Sequence, residues 1–157
     1  MHEKQKPLTA RVGPSLCSHD NEFLFVTGGS HQGTCLDTCE EYSILDDTWT
    51  SGPSLNTARA HHSSCTLERY IYVFCGQKSL ENDQASYLGS IERLDARAWL
   101  TGDSSTTWEL INLKSNALTE NPRSYPLVKP IKKDLIAILG GKDAEKGHLG
   151  NGYYYKL

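Results

Sequence analysis

The chain repeats one short phrase three times, an apolar strand that runs directly into a pair of small residues. The copies span residues 23–29, 70–76 and 135–141; the first and third end in Gly-Gly and the second in Cys-Gly. Alternating apolar runs of this length are typical of β-strands. Self-similarity of this kind indicates a repeat architecture, in which one supersecondary unit cannot bury its apolar face alone and stacks on its neighbours.

The residues around each phrase recur as well. Arg11, Arg59 and Arg123 precede the first residue of the small pair by 17, 16 and 17 residues. An aromatic residue follows the second glycine by 13 residues in the first and third copies, at Tyr42 and Tyr154. Ordered landmarks in separate copies define a repeat unit better than any one motif.

The second copy departs from this pattern. Leu94 stands in place of the tyrosine, and Trp108 follows it at twice the distance that separates Trp49 from Tyr42. The extra segment, residues 96–107, is polar and carries an additional tryptophan. Because insertions in repeat proteins usually lie in surface loops, we expect one here.

The pattern predicts an all-β chain with four antiparallel strands in each repeat. A first strand follows each arginine, the small-pair strand is second, and a third strand covers 39–45 in the first repeat. Thr48 opens a fourth strand that Gly52-Pro53 closes. The first strands are expected at 12–17, 60–66 and 125–128. Four short strands in about 48 residues are typical of a propeller blade, and no helical periodicity of useful length is present.

Bulk properties exclude several functional classes. The chain has 157 residues and a formal charge of -3, which argues against a nucleic-acid-binding surface rich in Lys and Arg. Neither a signal-peptide core nor an apolar run of about 18 residues occurs, so we expect no membrane association and a soluble, cytoplasmic protein. Five cysteines without a secretory signal fit reduced thiols better than disulfides.

The combination of an arginine, a strand ending in Gly-Gly, a tyrosine strand followed by Asp, and a tryptophan resembles the kelch repeat. The resemblance implies a partial kelch-type β-propeller of about three four-stranded antiparallel blades, the last incomplete. It implies one domain over 1–157, with repeats at about 11–57, 58–121 and 122–157. The first repeat matches closely, the second has Cys75 in place of glycine, and the third has no tryptophan.

The resemblance also implies structural roles. Trp49 and Trp108 are expected in the blade cores, stacked over the glycines that leave room for a large ring. The three repeat arginines are expected to hold loops through backbone carbonyls. Cys17 and Cys65 each lie six residues after a repeat arginine, and we expect both to be small core residues.

Function in such a scaffold lies in loops carried by rigid blades. Members of the resembled family that bind peptides use residues just after the Gly-Gly pair and just after the repeat arginine. Transferred by position, the partner-binding candidates are Ser30, His31, Gln77, Lys78, Lys142, Asp143, Ala60, His61, Ser124 and Tyr125. We expect a non-enzymatic scaffold for a protein or peptide partner, without a catalytic residue or cofactor.

Two chemical alternatives are considered. His31, Cys35 and Cys39 form an H-x3-C-x3-C segment that offers metal ligands, although this spacing matches no standard zinc pattern. An enzyme of the kelch-propeller type, either a copper radical oxidase or a sugar-processing enzyme, would need ligands from several blades, such as His31, His61, Cys35 and Tyr125. No spacing pairs these residues, so we expect no metal.

The beginning of the chain echoes an internal junction. Residues 7–11 repeat the pattern of residues 53–59, which join the first repeat to the second, and the chain stops inside its third repeat. Closed propellers have about 4–8 blades. We therefore expect either part of a longer array or two chains that pair into a six-bladed ring. A truncated array without a function of its own is a third alternative.

Overall fold

Three antiparallel sheets follow one another along the chain, each built around one of the apolar strands that end in the small pair. The computed structural model describes residues 4–78, 86–112, 117–143 and 145–157. We call the three sheets blades one, two and three. The expected all-β fold with an incomplete third blade is confirmed.

The bounds of the elements are as follows. Blade one contains β1 (Ser15–His19), β2 (Phe23–Thr27), β5 (Cys39–Ser43) and β6 (Thr48–Gly52), and the hairpin strands β3 (Ser30–His31) and β4 (Thr34–Cys35) follow its second strand. Blade two contains β7 (Ser63–Leu67), β8 (Tyr70–Phe74), β9 (Ile91–Asp95) and β10 (Glu109–Ile111). Blade three contains β11 (Leu127–Lys132), β12 (Leu135–Leu139) and β15 (Gly152–Lys156), with hairpin strands β13 (Lys142–Asp143) and β14 (Gly147–His148).

The first strands of blades one and two begin three residues later than the sequence pattern predicts, and that of blade three begins two residues later. The cause is a residue with a left-handed backbone two positions after each repeat arginine: Gly13 (φ 60°), His61 (φ 53°) and Tyr125 (φ 55°). A positive φ is incompatible with a continuous strand. The third strand of blade one also ends two residues early, because Ile44–Asp47 form its turn.

The third repeat is shifted by one residue from the alignment that the sequence suggests. Phe25 pairs with Glu41 in blade one, and the equivalent Ala137 pairs with Tyr154 in blade three. Tyr155, and not Tyr154, therefore occupies the position of Tyr42. A one-residue slip exchanges the two faces of a strand, and accordingly Tyr155 packs against blade two whereas Tyr154 is 70% exposed.

The blades stack through their first strands, which lie side by side. Ser15 Oγ lies 2.7 Å from Ser64 Oγ and accepts a hydrogen bond from the Ser64 amide, and the Ser63 hydroxyl donates to the Pro126 carbonyl. Two apolar cores fill the spaces between blades. Phe25, Ile71 and Val73 belong to the first, and Phe74 and Ile138 to the second.

Cys17 and Cys65 lie at equivalent buried positions of these cores, as expected.

The first part of the insertion in the second repeat packs into the core, whereas residues 101–105 are exposed. It forms helix α1 (Ala96–Leu100), capped by Asp95, and Trp99 is buried with its ring 4.7 Å from Phe25 of blade one. Gly52 makes this possible, because a Cβ there would lie 1.9 Å from the Trp99 ring. The expectation of a polar surface loop was therefore wrong for residues 96–100, whose apolar side chains pack between the blades, and holds for residues 101–105.

A second short helix, α2 (Ala117–Glu120), precedes blade three. Neither helix was expected from the sequence, because four or five residues are too few to show a helical period. Within the described ranges, no helix has the length and apolar character needed to cross a membrane.

We expect Trp99→Ala to lower the free energy of unfolding by about 3–5 kcal/mol, the usual cost of deleting a buried tryptophan side chain. Leu45→Ala is the control, because Leu45 is 90% exposed and its loss should change stability by less than about 0.5 kcal/mol. Urea unfolding followed by circular dichroism measures both. Equal small effects would show that the helix does not join blades one and two.

Candidate functional site

Three short backbone bridges assemble one end of the blade stack. Each joins the residue after a repeat arginine to the segment after a small pair: Val12 with Ser30, Ala60 with Gln77, and Ser124 with Lys142. In each bridge, the two residues exchange two backbone hydrogen bonds, with nitrogen-to-oxygen distances of 2.8–2.9 Å. The two loop sets therefore meet, and we call the surface they form the loop face (residues 11–14, 30–37, 59–62, 77–78, 123–126 and 142–149, of which residue 144 lies outside the described residues).

The ten candidate binding residues all lie at or next to these bridges, but they divide by exposure. The side chains of five are accessible to a partner in the described structure, fully or in part: His31, His61, Lys78, Tyr125 and Lys142. The other five are buried: Ser30, Ala60, Gln77, Ser124 and Asp143. Asp143, for example, accepts hydrogen bonds from the amides of Glu145 and Lys146. The buried residues shape the loops, and the accessible residues form the surface.

His61 and Tyr125 stack at the edge of the loop face, with ring centroids 4.4 Å apart and planes 27° from parallel. Backbone hydrogen bonds hold the rings in this arrangement, from the His61 amide to the Gly13 carbonyl (2.8 Å) and from the Tyr125 amide to the His61 carbonyl (2.6 Å). A Cβ at Gly13 would lie 2.4 Å from His61 Nδ1, so only glycine lets the His61 ring lie there. The outer side of Tyr125, which is 55% exposed, is open to a ligand.

The repeat arginines hold the loop face from beneath. The Nη1 atoms of Arg11, Arg59 and Arg123 donate to the carbonyls of Gly28, Cys75 and Gly140 at 2.6, 2.8 and 2.8 Å. Each Nε also points at the carbonyl two residues before its own arginine, at 3.3–3.5 Å. The expectation that these arginines fasten loops through backbone carbonyls is confirmed.

A buried carboxylate completes the site in two repeats and was missed from the sequence. Glu40 and Glu92 form ion pairs with Arg11 and Arg59, and both members of each pair are nearly or wholly inaccessible to solvent. Glu92 also accepts the amide of Asn56 at 2.7 Å and that of Thr57 at 3.2 Å, so it holds the segment that enters blade two. The signal was a glutamate two residues before Tyr42 and, likewise, before Leu94.

Blade three replaces the carboxylate with an aromatic ring. Tyr153 occupies the position of Glu40 and Glu92, and the Arg123 guanidinium lies 4.7 Å from the centroid of its ring. Asn151 Oδ1 accepts from Arg123 Nη1 at 3.2 Å. A cation–π contact stabilises a guanidinium less than a buried ion pair with good geometry does.

The indole nitrogens of Trp49 and Trp108 donate hydrogen bonds to the segments that precede the blades. Trp49 Nε1 donates to the Gln5 carbonyl at 2.9 Å, and Trp108 Nε1 donates to the Pro53 carbonyl at 3.0 Å. Trp108 is buried as expected, but Trp49 is only half buried.

Backbone carbonyls and the His62 side chain, and not a tryptophan ring, lie over the glycines of the small pairs in blades one and two. A Cβ at Gly28 would lie 2.4 Å from the Arg59 carbonyl oxygen, and one at Gly76 would lie 2.8 Å from that of Ala60. The prediction that a tryptophan ring stacks over these glycines is therefore wrong. Cys75 fits the first position of its pair at φ 62° and is fully buried, so a small side chain is tolerated there.

In the segment that was considered as a metal-binding alternative, the His and Cys side chains contact backbone carbonyls. His31 Nδ1 lies 2.9 Å from the Ala10 carbonyl, Cys35 Sγ donates to the Gln77 carbonyl, and Cys39 Sγ to that of Asp37. Burial raises the pKa of the Cys39 thiol to about 12 and also raises the pKa of Cys35. In the described ranges, no three His, Cys, Asp or Glu side chains are grouped closely enough to hold a metal.

Comparison with protein families agrees with this geometry. Residues 10–56, which span blade one and its loops, match the model of the kelch motif. Residues 10–56 form a kelch repeat. Blades two and three reproduce the arginine contacts of the matched kelch repeat at equivalent positions. No curated protein matches the chain.

We expect Glu92→Gln to lower the free energy of unfolding by about 3–5 kcal/mol, because it leaves the Arg59 guanidinium buried without its counter-charge. Glu109→Gln is the matched control, since Glu109 pairs with Arg93 at 2.8 Å on the surface and its loss should cost less than about 1 kcal/mol. Urea unfolding curves measure both. Similar effects of the two substitutions would contradict the role assigned to Glu92.

His62, next to the stacked His61, is buried between blades one and two. Its Nε2 lies 2.8 Å from Thr27 Oγ1. Burial, with smaller contributions from the charges of Arg59 and His61, lowers the pKa of His62 to about 3. The folded protein therefore keeps this imidazole neutral at pH values where the unfolded chain takes up a proton.

The free energy of unfolding should consequently fall as the pH is lowered from about 6.5 toward 3, by about 1.4 kcal/mol per pH unit from this one group. His62→Leu removes that contribution, so its stability should depend less on pH than that of the wild type. His31→Leu, at an exposed position, should keep the wild-type slope. Urea unfolding at pH 7.5, 6.0 and 5.0 gives the three slopes, and parallel curves for wild type and His62→Leu would refute the assignment.

Proposed function

We propose that this protein is a non-enzymatic interaction module that binds a peptide or protein partner on the loop face. The observation that carries the proposal is the row of backbone bridges, which gathers accessible side chains from three repeats onto one rigid surface. Kelch motifs belong in general to scaffolds for protein interaction. Loops fixed by buried arginines lose little conformational entropy on binding, which favours recognition.

The accessible residues suit a polar or aromatic peptide segment. Lys78 and Lys142 supply ammonium donors, His31 and His61 supply imidazoles, and Tyr125 supplies an exposed ring next to His61. Tyrosine is enriched at interfaces because it offers a large contact area at a small entropic cost. A strongly basic pocket is not formed, so an acidic peptide is not specifically favoured.

The buried thiols also support a non-enzymatic role. Burial raises the pKa of Cys65 and of Cys75 to about 12, so neither supplies a thiolate near neutral pH. The five cysteines are unpaired and buried, which fits the reducing cytoplasm that we propose as the compartment. Copper analysis of the purified protein separates this proposal from the enzyme alternative, because one copper per chain would favour an oxidase.

The binding proposal is tested by selecting peptides from a random display library on the immobilised wild-type protein and measuring their Kd by calorimetry. Tyr125→Asn removes the exposed ring but keeps a residue that tolerates a left-handed backbone, and it should weaken selected peptides at least tenfold. Leu45→Asn, on a turn outside the loop face, is the matched control and should leave the Kd unchanged.

The proposal fails if no peptide is enriched. It also fails if the selected peptides bind Tyr125→Asn and Lys78→Ala as well as they bind the wild type, because the contact surface would then lie elsewhere. If only Leu45→Asn lost binding, the contact surface for the peptide would lie at the opposite end of the blades.

A further inference from the structure

Blade two shows what the two faces of a blade normally contact. One face, with Ile71, Val73 and Trp108, is buried against blade one, and the other, with Tyr72 and Phe74, is buried against blade three. We call these the leading face, toward the preceding blade, and the trailing face, toward the following blade. Among the described residues, no blade packs on the leading face of blade one. Likewise, no blade packs on the trailing face of blade three.

The leading face of blade one is an apolar hollow. Leu24, Val26 and Trp49 occupy the positions of Ile71, Val73 and Trp108, and Leu16 beside them is 58% exposed. Together with Pro14, these side chains line a groove of about 580 Å³. The equivalent surface of blade two is fully buried, whereas on blade one Leu16 is exposed, Leu24 and Trp49 are partly exposed, and Val26 is buried.

The trailing face of blade three is apolar as well. Leu127 is 73% exposed, and Leu139 and Tyr154 are half or more exposed on the same side. Leu139 stands where Phe74 is fully buried in blade two. Lys129 shares this side, and a lysine can cover apolar surface with its stem while the ammonium stays in water.

The backbone at the two ends is complementary. Blades one and two are joined by hydrogen bonds from the Gly29 amide to the Arg59 carbonyl (2.8 Å), from the Arg59 amide to the Leu36 carbonyl (3.0 Å), and from the His61 amide to the Gly13 carbonyl (2.8 Å). The same three bonds join blades two and three. They run from the Gly76 amide to the Arg123 carbonyl (2.8 Å), from the Arg123 amide to the Leu88 carbonyl (3.2 Å), and from the Tyr125 amide to the His61 carbonyl (2.6 Å). The junction thus has a fixed donor and acceptor pattern.

Half of that pattern is presented at each end. Blade three offers the Gly141 amide and the carbonyls of Leu149 and Tyr125, none of which has a backbone partner in the described ranges. Blade one offers the opposite set, the Arg11 carbonyl with the amides of Arg11 and Gly13. The groove in which the arginine segment would lie is present on blade three, with about 580 Å³ lined by Tyr125, Gly141, Lys142, His148 and Leu149.

The residue pair at the centre of the junction also fits. Ser15 of blade one meets Ser64 of blade two. By position, Leu127 corresponds to Ser15 on the trailing face, and Leu16 corresponds to Ser64 on the leading face. The hydrogen-bonded serine pair of the internal junction would therefore become a leucine pair between two copies, and both leucines are exposed in the single chain.

We propose that two copies of this chain associate head to tail, the trailing face of blade three in each copy lying on the leading face of blade one in the other. Two three-bladed copies make six blades, within the range of closed propellers, and the twofold ring covers the outer faces of blades one and three. Tyr125 stays accessible in the ring, because the residue that would lie beside it is Gly13 of the second copy.

Light scattering on a sizing column tests the ring at about 100 μM protein. The wild type should have twice the chain mass of 17.5 kDa. A monomer would overturn the proposal, and so would a ladder of larger species, because an open filament would then replace the closed ring.

Charge substitutions test the pairing of Leu16 with Leu127. Leu16→Lys and Leu127→Glu should each give folded monomers, because one defective face breaks both contacts of the ring. The double variant, with both substitutions in one chain, should return to the dimer mass, since each contact then pairs Lys with Glu. Leu45→Glu is the exposed control and should remain dimeric.

Far-UV circular dichroism of each variant establishes that a monomer is folded. Dimers of both single variants would overturn the assigned surfaces. A folded monomeric double variant beside folded monomeric single variants would overturn the contact between Leu16 and Leu127.

Discussion

Each blade depends on one buried guanidinium. The repeat arginine carries a charge into the protein interior, where hydrogen bonds to carbonyls and, in blades one and two, a buried carboxylate stabilise it. The carbonyls at the small pair satisfy one nitrogen, the carbonyl before the blade satisfies another, and Glu40 or Glu92 compensates the charge. Burial lowers the pKa of Arg59 and the Glu92 carboxylate opposes that shift. The same contacts fix the loop after the second strand, so stability and the shape of the candidate site share one cause.

The sequence pattern was sufficient to predict the repeat and its strands. Gly28, Cys75 and Gly140 lie where the spacing from the arginines places them, all with positive φ. The pattern did not predict the strand register of the third repeat, where one extra residue shifts the strand. The aromatic spacing favoured Tyr154, but strand pairing shows that Tyr155 is the equivalent of Tyr42. Spacing counts residues and cannot detect an extra residue in a loop, whereas strand register distinguishes the two faces.

The candidate site was predicted in position but not in exposure. Sequence spacing located the bridges, so it found Ala60 and Ser124 together with His61 and Tyr125. Burial depends on the neighbouring blade, which a local pattern does not describe. The same limit applies to Trp99, whose polar surroundings suggested a surface loop although Gly52 of the preceding blade leaves room for its ring. Glu92 was missed because a glutamate in a strand normally faces water.

The loop face and the outer faces of blades one and three differ in their chemistry. The loop face presents polar and aromatic side chains held by backbone bridges, whereas the outer faces of blades one and three are apolar and carry complementary backbone groups. The central claim is that every junction between blades is built alike, including the one between copies. The most direct measurement is amide hydrogen exchange by NMR at a concentration that populates the dimer. The account predicts that the Gly141 amide is protected as strongly as those of Gly29 and Gly76. Exchange of Gly141 at the rate of an unstructured peptide would contradict it.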